Sequence, residues 1–419
     1  MSITSRVIDA SVTDPFPAWP YCAEDEIAAA TEVLRSGKIN YWTGQQGREF
    51  EREFAKFCGC NYAVAVANGT VALELSLRAL GVGLGDEVIT TSRTFIASAS
   101  AIVAVGARPV FADVDRDSQN ITAETIATVV TNKTRAVIAV HLAGWPCDMD
   151  PILNLAHASG FYVIEDCAQA HGASYNGKPI GSLGDISAFS FCQDKIMTTA
   201  GEGGMVTTNS EELWRTMWAY KDHGKNYDAV YSRQHAPGFR WLHESFGTNW
   251  RLSEVQSAVG RAQLSKVLGW LAIRRSHANF LMTKLSSLKA LRNPRVPAYI
   301  AHAYYKFYVF VRPEKLLPLW NRDRIAEEIM GRGIPCYSGS CSEIYLEKAF
   351  PEEMRPKNRL AVARELGETS LMFLVHPTLE KRHLERTAQV IEETLLCATD
   401  DTTVDDAVNQ TAICMELGK

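Results

Sequence analysis

From residue 62 to residue 208 the chain repeats one unit: a short apolar run, a turn, and a segment with apolar residues at helical spacing. The runs fall at 62–67, 87–91, 109–114, 136–141, 161–166, 186–191 and 205–208, and helical stretches at 71–80, 97–105, 123–130 and 149–159 separate several of them. A strand buried on both faces reads as a nearly continuous apolar run, and a right-handed crossover carries one parallel strand to the next. The pattern therefore restricts this stretch to an α/β fold, a mostly parallel sheet flanked by helices. Ligands of such sheets bind beyond the carboxyl ends of the strands, so chemistry is sought there.

Three strand ends carry candidate chemistry. The first run ends in Asn68-Gly69-Thr70 and a helix opens at Val71. Free N–H groups at a helix start form a phosphate site, with Thr70 able to add a hydroxyl; an ordinary cap by Asn68 or Thr70 is the other reading. The fifth run ends in Glu165-Asp166-Cys167-Ala168-Gln169, and strand alternation sends Glu165 and Asp166 to opposite faces. Asp166 in a dry cleft needs a cationic partner to remain ionised, or else it caps a following helix. The sixth run leads to Lys195, which stands between two apolar runs and beside Gly201-Glu202-Gly203-Gly204. If buried, such a lysine is a candidate nucleophile; otherwise it is a surface turn lysine. His141, at the end of the fourth run, reads as a satisfied core histidine. The glycines at 81, 83 and 85 precede a strand, so they read as a turn.

Two helices are expected at 24–34 and 46–57, joined by a loop whose Tyr41 and Trp42 either pack or line a substrate mouth. The polar segment 220–247 carries His223, Lys225, Arg233, Arg240 and His243, which suit a nucleotide diphosphate or form a solvated basic loop. Residues 253–271 read as one long helix leading to a smaller domain with a strand near 304–311 and a helix at 322–332. A net charge of -5 gives no electrostatic footprint for nucleic acid or an acidic membrane. The ten cysteines include no Cys-x-x-Cys pair and the ten histidines no His-Glu-x-x-His pattern, so no bound metal is expected. No basic leader or long apolar stretch appears, and a cytoplasmic protein is the expectation.

An Asn-Gly-Thr turn, a strand-end aspartate and a lysine beside a glycine-rich loop, in that order, fit pyridoxal 5'-phosphate. The helix start suits its phosphate, the carboxylate its protonated ring nitrogen, and the lysine its covalent attachment. The chain resembles the DegT/StrS-type sugar aminotransferases, within the fold type I pyridoxal-phosphate enzymes, over roughly residues 16–396. The resemblance rests on Asn68-Gly-Thr-Val-Ala-Leu, Gly85-Asp-Glu-Val, Thr94-Phe-Ile-Ala, His141-Leu-Ala-Gly, Glu165-Asp-Cys-Ala-Gln-Ala-His, Gly184-Asp-Ile, the Lys195 loop, Gly201-Glu-Gly-Gly and Gly247-Thr-Asn-Trp-Arg-Leu-Ser-Glu. It implies that Lys195 links covalently to pyridoxal phosphate and moves a proton, with pyridoxamine phosphate as the alternate form. Asp166 then pairs with the ring nitrogen, Gln169 lies beside the ring, and Phe95 stacks on it. Gly69, Thr70 and Ser190 meet the phosphate, as does Asn249 from across the interface of a homodimer with shared active sites. His223, Lys225 and Arg240 remain the substrate-side candidates.

The implied reaction moves an amino group from an amino acid, by analogy L-glutamate, to a nucleotide-linked keto sugar in amino-sugar biosynthesis. The alternatives are a pyridoxamine-phosphate-dependent sugar dehydratase and a non-catalytic regulatory relative; Lys195 favours transamination, because related dehydratases carry histidine there. The chain departs from the resemblance at Cys192 and across 334–341, where relatives carry a Tyr-x-Pro-Leu-His type segment. The expected organisation is a cofactor-binding domain at 1–265, a smaller α+β domain at 266–398 and a polar tail at 399–419.

Overall fold

The computed structural model describes residues 16–400. The first five strands are β1 (Tyr62–Val66), β2 (Glu87–Thr91), β3 (Arg108–Ala112), β4 (Thr134–Val140) and β5 (Tyr162–Asp166). A small hairpin of β6 (Ser174–Tyr175) and β7 (Lys178–Pro179) follows, and then β8 (Ile186–Ser190) and β9 (Gly204–Thr208). The main sheet has the order β1-β9-β8-β5-β4-β2-β3, so each of the seven predicted runs is one of its strands. β3, β2, β4, β5 and β8 are parallel, whereas β9 is antiparallel to both β8 and β1. The reason is local: the β8–β9 connection is the Lys195 loop, which contains no crossover helix and turns the chain straight back.

Alternation along the strands divides the core into two layers. Val163 of β5 packs with Phe50, Phe54, Phe189 and Phe191 beneath the helix Gln46–Cys58. Ile164 packs with Val64, Val66, Ile138 and Val206 beneath the helix Gly69–Ala79. Glu165 therefore points into the first layer and Asp166 toward the second, as the sequence predicts.

A buried carboxylate in an apolar layer is tolerated only when its lone pairs are filled. Glu165, fully buried, accepts from Leu183 N, Gly184 N and Ser187 Oγ, each at 2.9 Å, and from Gly181 N at 3.2 Å. His141 Nε2 lies 3.1 Å away, and His141 Nδ1 accepts from Cys147 N at 2.9 Å, so this histidine is a satisfied core residue. Burial alone would push the Glu165 carboxyl up, but His141 and the backbone N–H groups outweigh it and hold it below its ordinary value.

A second sheet has the order β10 (Leu291–Arg292), β12 (Phe307–Val311), β14 (Ser370–Phe373), β13 (Cys336–Tyr337). It packs against the helices Val267–Leu285, Arg322–Gly331 and Lys381–Ala398 around Leu281, Val309, Ile325, Leu371 and Ile391. The remaining strand, β11 (Ile300–Ala301), pairs with β6 of the hairpin. The single helix expected at 253–271 is instead two, Glu254–Leu264 and Val267–Leu285. At the break Ser265 Oγ bonds back to Ala262 O at 2.7 Å, and Lys266 Nζ turns away to Asp25 at 2.6 Å and Glu26 at 2.7 Å. Such local bonds compete with the helix ladder. The strand expected from residue 304 begins at Phe307, because Tyr304 has φ 47° and the preceding segment pairs with the β4 end instead. Of the tail expected at 399–419, residues 401–419 lie outside the described residues.

Glu165→Gln would place an amide donor among N–H donors that now share a carboxylate. The expected outcome is a loss of about 3–5 kcal/mol of stability, the usual cost of breaking a buried charged network. Chemical denaturation of the cofactor-free protein measures it, and a loss below about 1 kcal/mol, the scale of an ordinary hydrogen bond, would contradict this account.

Candidate active site

The helix Gly69–Ala79 starts directly after β1, and its N-cap is Asn68, whose side chain accepts from Val71 N at 3.0 Å. The cap therefore belongs to Asn68, leaving Thr70 exposed at the helix start. Gly69 packs against Ser190 at the end of β8 so closely that a Cβ there would lie 2.6 Å from Ser190 Cβ. Gly204, at the start of β9, passes beneath the same turn, where a Cβ would come within 2.4 Å of Asn68 O. Two glycines thus let three strand ends converge, and this is the cradle in which Gly69, Thr70 and Ser190 meet.

Asp166 lies at the end of β5 with 6% exposure. Its Oδ2 accepts from Ser98 Oγ at 2.9 Å and its Oδ1 from Ala168 N at 3.2 Å. No helix follows β5, so the helix-cap reading of this residue does not apply. Burial pushes the carboxyl above its ordinary value; Ala168 N–H, the Ser98 hydroxyl and the charge of Lys195 pull it part of the way back. The carboxylate is held in place but has no bonded cation among the described residues, which is the situation a protonated pyridine nitrogen would relieve.

Phe95 is 59% exposed. A core role is thereby excluded, and its ring stays available to cover a ligand. It leads into the helix Ala97–Ala104, and the chain Thr94 Oγ1···Ser98 Oγ (3.0 Å) and Ser98 to Asp166 ties this element to the aspartate. Gln169 Oε1 accepts from Ala143 N at 2.7 Å, which fixes its amide just beyond β5.

The Lys195 side chain is 17% exposed, and its only carboxylate neighbour within 4 Å among the described residues is Asp194, at 3.8 Å. Its Nζ stands 5.2 Å from the centre of the Tyr305 ring, and Tyr305 donates its hydroxyl to Asp194. Trp19 Nε1 donates to Lys195 O at 2.8 Å, pinning the loop backbone. This is a lysine held in a cleft, and the surface-turn reading fails.

The segment 220–247 brings a correction. Lys225 Nζ bonds Asp222 Oδ1 at 2.8 Å and lies 4.2 Å from the Trp42 ring centre, while Arg251 reaches the same oxygen at 2.6 Å. Lys225 is therefore engaged in an ion-pair network, and Trp42 is packed. Arg233 pairs with Glu244 at 2.7 Å. His223, Arg240 and His243 are exposed, as is Asn249, and among the described residues none of them shares a hydrogen bond or ion pair with Lys195.

Sequence reasoning missed Ser98, Asp194, Tyr305 and Arg93. The fully buried Arg93 guanidinium bonds Gln119 Oε1 at 2.9 Å, Ser342 Oγ at 2.7 Å and Ser370 Oγ at 3.0 Å, and Thr94 N bonds Cys341 O at 3.1 Å. The divergent segment 334–341 thus ends against the residues that lead to Phe95. Its only sequence signal was its departure from the expected motif. A surface groove of about 850 Å³ lies elsewhere, between the helices Glu24–Ser36, Gln46–Cys58 and Glu254–Leu264, and lacks this convergence of lysine, carboxylate and helix start.

A mostly parallel sheet with a lysine loop, a strand-end carboxylate and a helix start facing one cleft defines a fold type I pyridoxal-phosphate enzyme, and the residues present fit that cofactor. The chain belongs to the DegT/DnrJ/EryC1/StrS aminotransferase family, whose model matches residues 20–392. It is similar to the aminotransferase of Psychrobacter cryohalolentis, a solved structure 56% identical in sequence, with a TM-score of 0.89 over 90% of this chain and 98% of that one. It is also 41% identical to GDP-perosamine synthase of Caulobacter vibrioides, over 85% of this chain and 92% of that protein. The dTDP-3-amino-3,4,6-trideoxy-alpha-D-glucose transaminase of Streptomyces venezuelae is 34% identical, over 87% and 91% respectively.

A carboxyl with a raised folded-state pKa stabilises the fold while protonated and costs stability as pH rises through that value. Asp166→Asn removes this cost. At neutral pH the cofactor-free variant should melt at or above the wild-type temperature, while amino transfer falls about 100-fold or more, the scale of losing a preorganised electrostatic partner. A lower melting temperature with activity retained would make Asp166 a structural residue.

Proposed function

We propose that this aminotransferase takes an amino group from an amino acid, L-glutamate by analogy with its family, and delivers it to a nucleotide-linked keto sugar. The observation that carries the reading is Asp166: a buried, anchored carboxylate with no bonded cation among the described residues, in the same cleft as Lys195 and the Gly69–Ser190 cradle. The names of the relatives, a GDP-sugar and a dTDP-sugar enzyme, support the substrate class.

When bound, pyridoxal phosphate supplies an electron sink that makes the donor's carbon acid enough to lose a proton. The chain's own residues do the rest. Gly69, Thr70 and Ser190 would hold the phosphate through N–H and hydroxyl donors. Asp166 would keep the proton on the ring nitrogen, and Phe95 and Gln169 would hold the ring. Lys195 would hold the cofactor covalently, and its Nζ would serve as the general base and acid that accepts and returns the proton. Tyr305 and Asp194 orient that amine.

Residues 1–265 would form the cofactor-binding unit and 266–398 the smaller one. The active form would be a homodimer in which Asn249 reaches the phosphate of the partner's site. Support comes from the exposed apolar side chains near it, Phe239, Trp241 and Phe246, with Phe246 99% exposed. His223 and Arg240 stay candidates for the nucleotide diphosphate, whereas Lys225 acts through Asp222. No helix among the described residues is long and apolar enough to cross a membrane; action in the cytoplasm is part of the proposal.

The test is absorption of the cofactor-loaded protein before and after L-glutamate, followed by mass spectrometry of products from GDP- and dTDP-linked keto sugars. The wild type should lose the absorption of the lysine-bound cofactor and yield an amino sugar. Lys195→Ala should slow the reaction by about 1,000-fold or more, losing both the covalent link and the proton carrier. A deoxygenated sugar without amino transfer would replace this reading with the dehydratase one.

A further inference from the structure

The lysine cleft contains a second ammonium group that the proposed reaction has not used. Lys306 follows Tyr305 directly, and its Nζ lies 4.9 Å from the centre of the ring that Lys195 Nζ faces at 5.2 Å. Lys306 is half-buried, yet among the described residues its Nζ makes no hydrogen bond or ion pair. Its neighbours are Asp194, Lys195, Arg274, Tyr305 and His376. Asp194 is the single carboxylate among them, and it is already engaged by the Tyr305 hydroxyl and by Lys195.

The surroundings are built for this excess of positive charge. Arg274 is 1% exposed and spends two hydrogen bonds on the backbone that carries the pair, Nη1 to Tyr304 O at 3.4 Å and to Tyr305 O at 3.2 Å. Its Nε and Nη2 have no partner among the described residues. The next turn of chain is fixed from the sheet side: Tyr305 N donates to Ala143 O at 2.9 Å and Ala303 N to Gly144 O at 2.8 Å, beside Gln169. Lys306 is thus presented at the ends of β4 and β5, on the side of the cleft where Lys195 stands.

An unpaired, partly desolvated ammonium is costly, and its site becomes favourable only when an anion arrives. Besides the cofactor phosphate, the proposed reaction brings in a nucleotide diphosphate and, on the donor, an α-carboxylate and a γ-carboxylate that stands three bonds from the carbon bearing the amine. A nucleotide diphosphate is separated from the reacting carbon by a sugar ring, whereas the α-carboxylate of an amino acid is one bond from the carbon that bears the amine. A cation sharing one aromatic ring with Lys195 matches the second spacing. We infer that Lys306 binds the α-carboxylate of the amino donor, so that the donor's amine is delivered to the position of Lys195 Nζ. Burial, with the charges of Arg274 and Lys195 opposing the attraction of Asp194, lowers the Lys306 ammonium to about 8. Donor affinity therefore weakens as pH rises through that value.

This assignment rests on the aminotransferase reading, and a measurement independent of turnover separates the two. Glutarate, a dicarboxylate without an amine, should protect Lys306 from an amine-modifying reagent in the wild-type protein, read by peptide mass spectrometry. Lys306→Gln should raise the KM for L-glutamate about 10- to 100-fold, the loss of one charge-assisted contact, leaving the KM of the keto sugar and the cofactor affinity unchanged. Lys306→Arg should restore donor KM to within a few-fold and remove its rise at alkaline pH. Protection by glutarate in a protein that transfers no amino group would sustain the carboxylate subsite while the aminotransferase reading falls. Absence of protection, an unchanged donor KM in Lys306→Gln, or a rise confined to the KM of the keto sugar would each overturn the assignment.

Discussion

Five donors converge on the two oxygens of Glu165, and the rest of the site hangs from that convergence. An ionised carboxylate in a layer of phenylalanines is viable only if every lone pair is filled, so the segment 181–184 must fold back onto β5 before β8 begins. That fixes where β8 starts and therefore where it ends, at Ser190 and the lysine loop. On the next residue of the same strand the pleat reverses, and Asp166 emerges in the opposite layer, its carboxylate accepting from Ser98 and Ala168 alone among the described residues. One carboxylate is saturated and structural; its neighbour is left short of a cation. The strand's period of two converts adjacent, chemically similar residues into a foundation and a reactive group.

The second requirement is close approach. β1, β8 and β9 meet at their ends only because Gly69 and Gly204 carry no Cβ where Ser190 and Asn68 lie. The cost is a backbone that packing must hold, and packing comes from both sides: the phenylalanine layer under the helix Gln46–Cys58 and the valine and isoleucine layer under the helix Gly69–Ala79. A buried ion pair, Lys221 with Glu51 at 2.5 Å, ties the start of the 220–247 segment to the first of those helices, and Glu51 also accepts from Ala65 N of β1.

Much of this could be read from the chain. Strands buried on both faces betray themselves as apolar runs, and the residues at their ends are local in sequence, so Asn68, Gly69, Asp166, Gln169 and Lys195 were legible together with the sheet that presents them. Partners from distant segments were not. Tyr305 is 111 residues from Asp194, and Ser342 is 249 residues from Arg93; no periodicity encodes such pairings. Lys225 looked like a free cation because Asp222 lies within one turn of it and the spacing does not tell whether a pair forms. The break at Ser265–Lys266 is hidden for the opposite reason: the apolar spacing continues through it, and the helix stops where the local Ser265 bond is joined by the pull of Asp25 and Glu26, some 240 residues away. Phe95 is the case where the usual burial of a large aromatic fails, since the fold leaves its ring more than half exposed.

The same distant contacts decide how charge is distributed in the cleft. Arg93 is fully buried with hydroxyl and amide partners and no carboxylate within ion-pair distance among the described residues, and burial lowers its pKa. Arg274 is buried against backbone carbonyls and the Trp19 ring, again without a carboxylate. Lys195 and Lys306 add two ammonium groups against the single carboxylate of Asp194. A protein with a formal charge of -5 has acidic residues to spare, yet among the described residues the one carboxylate within 4 Å of any of these four cations is Asp194, beside Lys195, with Asp166 acting on Lys195 from further off through its charge. An uncompensated interior charge raises the free energy of the empty cleft and is relieved by whatever anion enters. Phosphate, carboxylate and diphosphate groups all meet that condition, and under the proposed reaction they would dock apart: at the Gly69 helix start, beside Tyr305, and out toward Arg240. The cleft thereby favours anions in general, while the geometry around each cation separates one anionic group from another.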